Sequence, residues 1–131
     1  MVDKKAMGKK SRAQGKAFEL RVRKDLEGIG FIVDRWTNNI KDGVCVAAKA
    51  KWAGPGRPMM MGAGFPDFIA YGNGKILFVE CKMGKYLDRE EKAKAQWYLD
   101  HNYCTKFLVA FKTKEKNRVR VNYQEIVHKK V

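Results

Sequence analysis

Two acids and a lysine, Asp67, Glu80 and Lys82, stand at the ends of two short apolar runs. The runs cover residues 68–71 and 76–79, and an Asn-Gly pair between them is the favoured sequence for a two-residue type I′ turn. In the register that such a turn imposes, Asp67 faces Glu80, with Cβ atoms about 5 Å apart. Carboxylates at that distance repel each other unless one is protonated or a cation lies between them. The spacing therefore predicts a hairpin that carries a metal site.

Alternation along the second strand places Lys82 on the face of Glu80 and turns Cys81 to the opposite face. Both faces of the hairpin are apolar, which predicts a central position in a sheet covered on each side. In the simpler interpretation, Asp67 and Glu80 are solvated strand ends. A Glu-X-Lys pattern alone is weak evidence, because residues 90–92 repeat it inside a predicted helix. The prediction of a site depends on the facing acids.

The composition restricts the class of protein. A chain of 131 residues predicts one domain, and its formal net charge of +14 favours a polyanionic partner such as nucleic acid. Cys45, Cys81 and Cys104 are widely spaced, which argues against a disulfide framework or a zinc site and for a reducing compartment. The apolar runs are too short to span a bilayer. We expect an intracellular, cytoplasmic protein that does not bind a membrane.

Apolar periodicity predicts two helices. The first begins with a capping box at Ser11, ends near Gly28 or Gly30, and has an apolar face. That face consists of Phe18, Val22, Leu26 and Ile29. The second begins after a capping box at 88–91 and covers about 89–101.

Further strands are predicted at 31–36 and 106–112. A strand, a helix and another strand imply a right-handed crossover, which places 106–112 parallel to 76–81. Residues 118–121 are expected to add an edge strand, and 124–128 a final turn. These elements predict an α/β fold with a mixed sheet of four or five strands flanked by helices.

Two stretches lack lasting periodicity. Residues 1–10 are rich in lysine and are expected to form a flexible basic tail before a single domain at 11–131. Residues 37–64 are rich in glycine and basic residues and are expected to form one long loop with a functional role.

Pro66-Asp67, a hairpin and then Glu80-Cys81-Lys82 resemble the motif of the PD-(D/E)XK nuclease superfamily. The resemblance implies a restriction-endonuclease-like fold in which Asp67 and Glu80 hold magnesium and Lys82 assists the attacking water. Gly15-Lys-Ala-Phe-Glu19-Leu and Gly30-Phe-Ile-Val-Asp-Arg35 resemble the first helix and strand of archaeal-type Holliday junction resolvases.

From the residues alone, Glu19 is a surface ion-pair partner, whereas the resolvase resemblance places it among the metal ligands. Gln96 falls where several nuclease subfamilies carry a glutamine after the lysine strand, and the alternative is a solvated helix residue. The stretch 37–64 is longer than the corresponding link of the resolvases, and the glycine- and arginine-rich approach to Gly64-Phe-Pro-Asp67 is more similar to VRR-Nuc nucleases.

The implied ligand set consists of Glu19, Asp67, Glu80 and the backbone carbonyl of Val79 or Cys81. Oxygen ligands suit Mg²⁺, and Mn²⁺ is expected to substitute for it. Other chemistry is disfavoured: the sole serine, Ser11, suits a helix cap, and the sequence has no phosphate-binding G-x-x-x-x-G-K-[ST] motif, so ATP is not required.

These features predict a metal-dependent endonuclease, a Holliday junction resolvase that acts on four-way DNA junctions as a homodimer. The alternatives are a VRR-Nuc-like nuclease that cuts flaps or other branches, and a basic DNA-binding module without catalysis. Lysines and arginines are expected to contact phosphates, and Trp52 to stack on an unpaired base. The full set expected to contact DNA is Lys9, Lys10, Arg12, Lys16, Lys49, Lys51, Trp52, Arg57 and Lys85.

Overall fold

Nine strands and two helices form the described part of the chain. The computed structural model describes the backbone of residues 4–48, 50–51, 54–56, 60–61 and 64–129, and the side chains of 10–48, 54–56 and 64–129. In chain order the elements are α1 (Lys4–Gly28), β1 (Ile32–Arg35), β2 (Asn38–Lys41), β3 (Val44–Ala47), β4 (Ala50–Lys51), β5 (Met60–Met61), β6 (Phe68–Gly72), β7 (Lys75–Lys82), α2 (Arg89–Asp100), β8 (Lys106–Glu115) and β9 (Arg118–Ile126).

The main sheet has five strands in the order β1-β6-β7-β8-β9. Strands β7 and β8 are parallel and are joined through α2, while the other neighbouring pairs are antiparallel. This mixed sheet confirms the predicted α/β class and the predicted parallel pairing of β7 with β8. Within the described residues, no helix combines the length and the apolar character needed to cross a membrane.

The β6–β7 hairpin has the predicted register. Gly72 pairs with Lys75, and Ile69 pairs with Phe78. Asn73 and Gly74 have φ angles of 52° and 72°, as a type I′ turn requires. The turn residues therefore determine which side chains share a face at the far end of the hairpin.

Both faces of the sheet are covered by helices. On one face, Phe18, Val22 and Leu26 of α1 are buried with alternate residues of β6 and β7, including Ala70 and Val79. On the other face, α2 buries Ala95, Tyr98 and Leu99 against the remaining alternate positions, including Phe78 and Phe107. The hairpin is therefore central, as predicted, although Tyr71 and Ile76 beside its turn are exposed.

Helix α1 begins at Lys4, seven residues before the predicted start at Ser11. The predicted tail is therefore wrong for residues 4–10, and Ser11 lies inside the helix instead of capping it. Lysine, alanine and methionine are strong helix formers, so the absence of apolar periodicity in this stretch does not prevent helix formation. Residues 1–3 lie outside the described residues.

The prediction of a loop over 37–64 is wrong for 38–47, where β2 and β3 form a hairpin. Asp42 and Gly43 have φ angles of 52° and 73°, so an Asp-Gly pair makes the turn. Trp97 of α2 donates its indole N–H to the Gly43 carbonyl at 3.2 Å. Ile40 and Cys45 pack against the core under α2. Strands β4 and β5, in the same stretch, also pair with each other.

The C-terminal strands are longer than predicted. β8 continues to Glu115 and β9 extends from Arg118 to Ile126, so the final turn expected at 124–128 is wrong for 124–126. Val121 and Tyr123 of β9 pack against the core under α1, which explains why the strand continues past the predicted end.

Candidate active site

Asp67 and Glu80 lie opposite each other at one end of the β6–β7 hairpin. The Asp67 N–H donates to Glu80 Oε1 at 3.1 Å, and the Cys81 N–H donates to Asp67 Oδ2 at 2.8 Å. Each carboxylate is thus bonded to the backbone of the neighbouring strand. The register therefore brings together the two acids that the sequence places opposite each other.

Glu80 is the one buried charged residue of the described core, with 8% of its surface exposed. Burial raises its pKa well above the ordinary value, and the charge of Asp67 and a hydrogen bond between the two carboxyl groups raise it further. A cation at this position would offset both effects, because desolvation and carboxylate repulsion are each relieved by positive charge.

Lys82 contacts Glu91 instead of the carboxylate pair. Its Nζ lies 2.6 Å from Glu91 Oε2, and both side chains are largely buried. The other oxygen of Glu91 accepts the Asp88 N–H at 3.0 Å, while Asp88 accepts the Glu91 N–H at 2.8 Å. The capping box of α2 therefore holds Lys82 beside Glu80.

The part played by Glu91 was missed by sequence reasoning. The capping box at 88–91 was recognised, and it fixes Glu91 in the first turn of α2. The signal that could have revealed this contact is the short link between Lys82 and Asp88, which returns the chain to the end of β7.

Lys82 has a raised pKa despite its partial burial. Burial acts to lower the pKa, but the hydrogen bond and charge of Glu91, together with the charge of Glu80, raise it by more. Lys82 is therefore held as a cation near neutral pH, which suits a role as a positive charge and not as a proton acceptor.

Glu19 lies on α1 near the pair but is engaged with a different partner. Its Oε2 accepts from Arg35 Nη2 at 3.0 Å. Burial and then the charge of Asp67 raise its pKa, while Arg35 and Lys16 lower it. Glu19 and Lys16 also line a cavity of about 180 Å³ with Arg35. Arg35 occupies Oε2 of Glu19, which leaves Oε1 as the oxygen available to a cation shared with Asp67.

Cys81 and Gln96, the two other predicted site residues, lie in different surroundings. Burial raises the pKa of the Cys81 thiol, followed by the nearby charges of Asp67, Glu19 and Glu80, so the thiol is a poor nucleophile. The Cys81 side chain packs on the α1 face of the sheet, opposite to the face of Glu80, so Cys81 would serve a metal there through its backbone carbonyl. Gln96 donates to the Val127 carbonyl at 2.7 Å and accepts from the Lys129 N–H at 2.9 Å. These bonds give Gln96 a role in holding the chain after β9, and the structure does not bring it to the carboxylate pair.

The segment before Asp67 is held by buried aromatic residues. Tyr98 donates its hydroxyl to the Phe65 carbonyl at 2.6 Å and accepts from the Trp36 indole at 3.1 Å. The backbone N–H of Trp36 donates to the Asp67 carbonyl at 3.1 Å. Helix α2 and the end of β1 therefore fix the backbone on which Asp67 stands.

The residues expected to contact DNA are only partly described. Lys10, Arg12 and Lys16 of α1 are exposed, as is Lys85 after β7. The side chains of Lys9 and Lys51, although in α1 and β4, lie outside the described side chains, and Lys49, Trp52 and Arg57 lie outside the described residues altogether.

The donor set near Glu80 was compared with the ligands of a divalent cation. Among the side chains that the structure describes, no group of three His, Cys, Asp or Glu residues is placed to hold a metal ion. Asp67 and Glu80 provide two adjacent carboxylates, and the side chain that would complete a trio, Glu19, is paired with Arg35. The two carboxylates and a backbone carbonyl fit a hard cation that keeps several water ligands, as Mg²⁺ does.

We expect the metal-free protein to lose stability as the pH rises. The pKa of Glu80 is raised above its ordinary value of 4.5. The contribution of Glu80 to the free energy of unfolding is therefore fully present below about pH 4.5 and is lost as the pH rises to the raised pKa. The melting temperature of the wild type in EDTA should therefore fall relative to that of Glu80→Gln between about pH 5 and about pH 10. Glu90→Gln, at an exposed carboxylate, is the control and should follow the wild type. Parallel curves for wild type and Glu80→Gln would contradict the assigned shift.

Comparisons with protein-family models, with curated proteins and with solved structures found no match for this chain.

Proposed function

We propose that this chain is a magnesium-dependent endodeoxyribonuclease with a restriction-endonuclease-like fold, and that it resolves four-way DNA junctions. One observation carries the proposal: at a sheet end, Asp67 and Glu80 each accept a backbone N–H from the other's strand, and no cationic side chain of the described residues forms an ion pair with either carboxylate. Such a pair is costly for a folded protein unless one carboxyl is protonated, as the raised pKa of Glu80 favours in the metal-free protein, or a cation lies between the two. Lys82, two residues from Glu80, adds a fixed positive charge.

The chain's own residues have distinct tasks in this proposal. Asp67 and Glu80 would hold the metal, with the carbonyl of Val79 or Cys81 and with Glu19, whose Oε2 is bonded to Arg35. When bound, Mg²⁺ supplies positive charge that polarises a phosphate oxygen and lowers the pKa of a water molecule. Lys82 stabilises negative charge that develops on the phosphate, because Glu91 keeps its ammonium protonated and in place.

The choice of DNA as substrate is supported by charge. The chain carries a formal net charge of +14, and exposed lysines and arginines continue along α1 beyond Glu19 toward its N-terminus. Phosphate contacts of this kind give affinity without sequence preference. The four-way junction and the homodimer come from the resemblance to archaeal-type resolvases, since two symmetric cuts need two symmetric sites.

A cleavage assay tests the proposal directly. Purified protein is mixed with labelled four-way junction, 5′ and 3′ flaps and linear duplex, each in Mg²⁺, in Mn²⁺ and in EDTA. We expect paired cuts in the junction that require the metal. Preferential cutting of flaps would favour the VRR-Nuc-like alternative, and binding of every substrate without cleavage would favour a DNA-binding module.

Replacing Glu91 by Gln tests how Lys82 is held. Glutamine can still complete a capping box, but it removes the negative charge that raises the pKa of Lys82. We expect about a 10-fold loss of turnover, and the alkaline limb of the pH–rate profile should move to lower pH because Lys82 deprotonates more easily.

The matched control is Glu90→Gln, which changes the neighbouring, exposed carboxylate that pairs with Lys94. It should leave both the turnover and the profile unchanged. If Glu91→Gln lowered the rate equally at every pH, the charge of Glu91 would not be acting through Lys82.

A further inference from the structure

The β8–β9 hairpin extends beyond the end of β7 that carries the carboxylate pair. Strand β7 ends at Lys82, whereas β8 continues to Glu115, which pairs with Arg118 at the start of β9. The hairpin turn has φ angles of 48° at Lys116 and 65° at Asn117. Its basic tip therefore stands at the same end of the sheet as Asp67 and Glu80.

A groove separates this hairpin from α1. Its larger part has a volume of about 550 Å³ and is lined by Arg21, Lys24, Asp25 and residues 119–121. A second cavity of about 170 Å³ shares Arg21 and Val119 with the first and continues to Gln14 and Lys112. The α1 residues of the groove, at positions 14, 17, 21 and 24, form one stripe of the helix, because residues three and four apart are neighbours. Glu19 belongs to a different stripe, on the side of β1.

The groove has excess positive charge. Within the described residues, no carboxylate oxygen lies within 4.0 Å of the charged nitrogens of Arg21, Lys24 or Lys112. Arg120 has one exposed contact, with Glu115 at 3.6 Å. The acid of the groove, Asp25, accepts the Tyr123 hydroxyl at 2.6 Å. Clustered cations of this kind attract an anionic ligand.

We propose that the groove between α1 and the β8–β9 hairpin binds the phosphate backbone of a duplex arm of the substrate, away from the bond that is cut. The inference rests on the proposed function in taking DNA as the substrate. Residues 14–24 of α1 extend for about 15 Å along the helix, which is enough to follow several phosphates of a duplex. The smaller cavity includes Lys112, which follows Phe111, the β8 partner of Lys82, so the groove reaches the level of the carboxylate end of the sheet.

The test measures binding without cleavage. Affinity for a four-way junction and for a linear duplex is determined in EDTA over a series of salt concentrations. The variant combines Arg21→Gln and Lys24→Gln, both exposed, and a second variant adds Lys112→Gln. The control combines Lys75→Gln and Lys92→Gln, which remove the same charge at the turn of the β6–β7 hairpin and on α2. Thermal melting verifies that each variant is folded.

We expect the double variant to bind at least about 10-fold more weakly near 0.1 M salt, and the slope of log affinity against log salt to fall by about one per lost contact. Adding Lys112→Gln should lower the slope again, while the control keeps the wild-type slope. An unchanged slope in the groove variants, or an equal loss in the control, would overturn the proposal. Because binding is measured without metal, it does not depend on cleavage. If the protein binds DNA through the groove but never cuts DNA in Mg²⁺, the proposed nuclease function is rejected and the proposed groove is supported. If the wild-type protein cuts DNA but the groove variants keep the wild-type salt slope, the nuclease function is supported and the proposed groove is rejected.

Discussion

Replacing Glu80 by Gln is expected to reduce magnesium-dependent cleavage of a four-way junction by about 100-fold or more. The substitution keeps the size of the side chain and the acceptor for the Asp67 N–H, but it removes a charge from the pair. Junction affinity in EDTA should be nearly unchanged, because binding depends on phosphate contacts elsewhere. Cleavage rates under single-turnover conditions, with affinity measured separately, distinguish the two effects.

The same variant has an opposite effect on stability. Since burial and Asp67 raise the pKa of Glu80, the metal-free protein must take up a proton on folding near neutral pH, and glutamine, which removes this cost, should raise the melting temperature. Asp67→Asn and Lys82→Ala should also lose cleavage, whereas Glu90→Gln should retain it. Wild-type cleavage by Glu80→Gln would show that the carboxylate pair is not the active site.

Replacing Gly64 by Ala is expected to destabilise the fold by about 3 kcal/mol. A Cβ at this position would lie 2.4 Å from the Trp36 carbonyl oxygen and 2.8 Å from that of Asn38, so the backbone would have to move. The backbone N–H of the neighbouring Phe65 donates to the Asn38 carbonyl at 2.9 Å, and this bond would be strained or lost. Urea denaturation monitored by tryptophan fluorescence measures the change.

Gly84→Ala is the matched control, because a Cβ there meets no atom within 4 Å. Its denaturation midpoint should remain close to that of the wild type. Since Gly64 leads into Asp67, the Gly64→Ala protein should also cut more slowly under conditions in which it remains folded. Equal midpoints for the two variants would contradict the close approach of residue 64 to the backbone of residues 36–38.

The central part of the site was predictable because its determinants are local. Asn73 and Gly74 accept positive φ angles, so they fix a two-residue turn and, through it, the register of β6 and β7. Period-two alternation then places Glu80 and Lys82 on one face and Cys81 on the other. The cationic state of Lys82 was not predictable, because it depends on Glu91 in a different element.

Local signals also explain the errors. The Asp-Gly turn at 42–43 predicts a hairpin by the same rule as Asn73-Gly74, but its strands each bury a single core side chain, Ile40 and Cys45, so no periodicity is visible. The helical stretch 4–10 has no apolar face to reveal it, and helix formation there follows the propensity of its lysines and alanine.

The sequence by itself determined the α/β class, the central hairpin and the meeting of Asp67 with Glu80, because turn chemistry and side-chain alternation act between residues close in the chain. Tertiary structure alone decided the partners of the functional side chains: Arg35 for Glu19, Glu91 for Lys82, and the backbone after β9 for Gln96. It also decided that α1 and the β8–β9 hairpin enclose a basic groove. These contacts join elements far apart in the sequence, and they form only when both helices pack on the sheet and fix which side chains come within hydrogen-bonding distance.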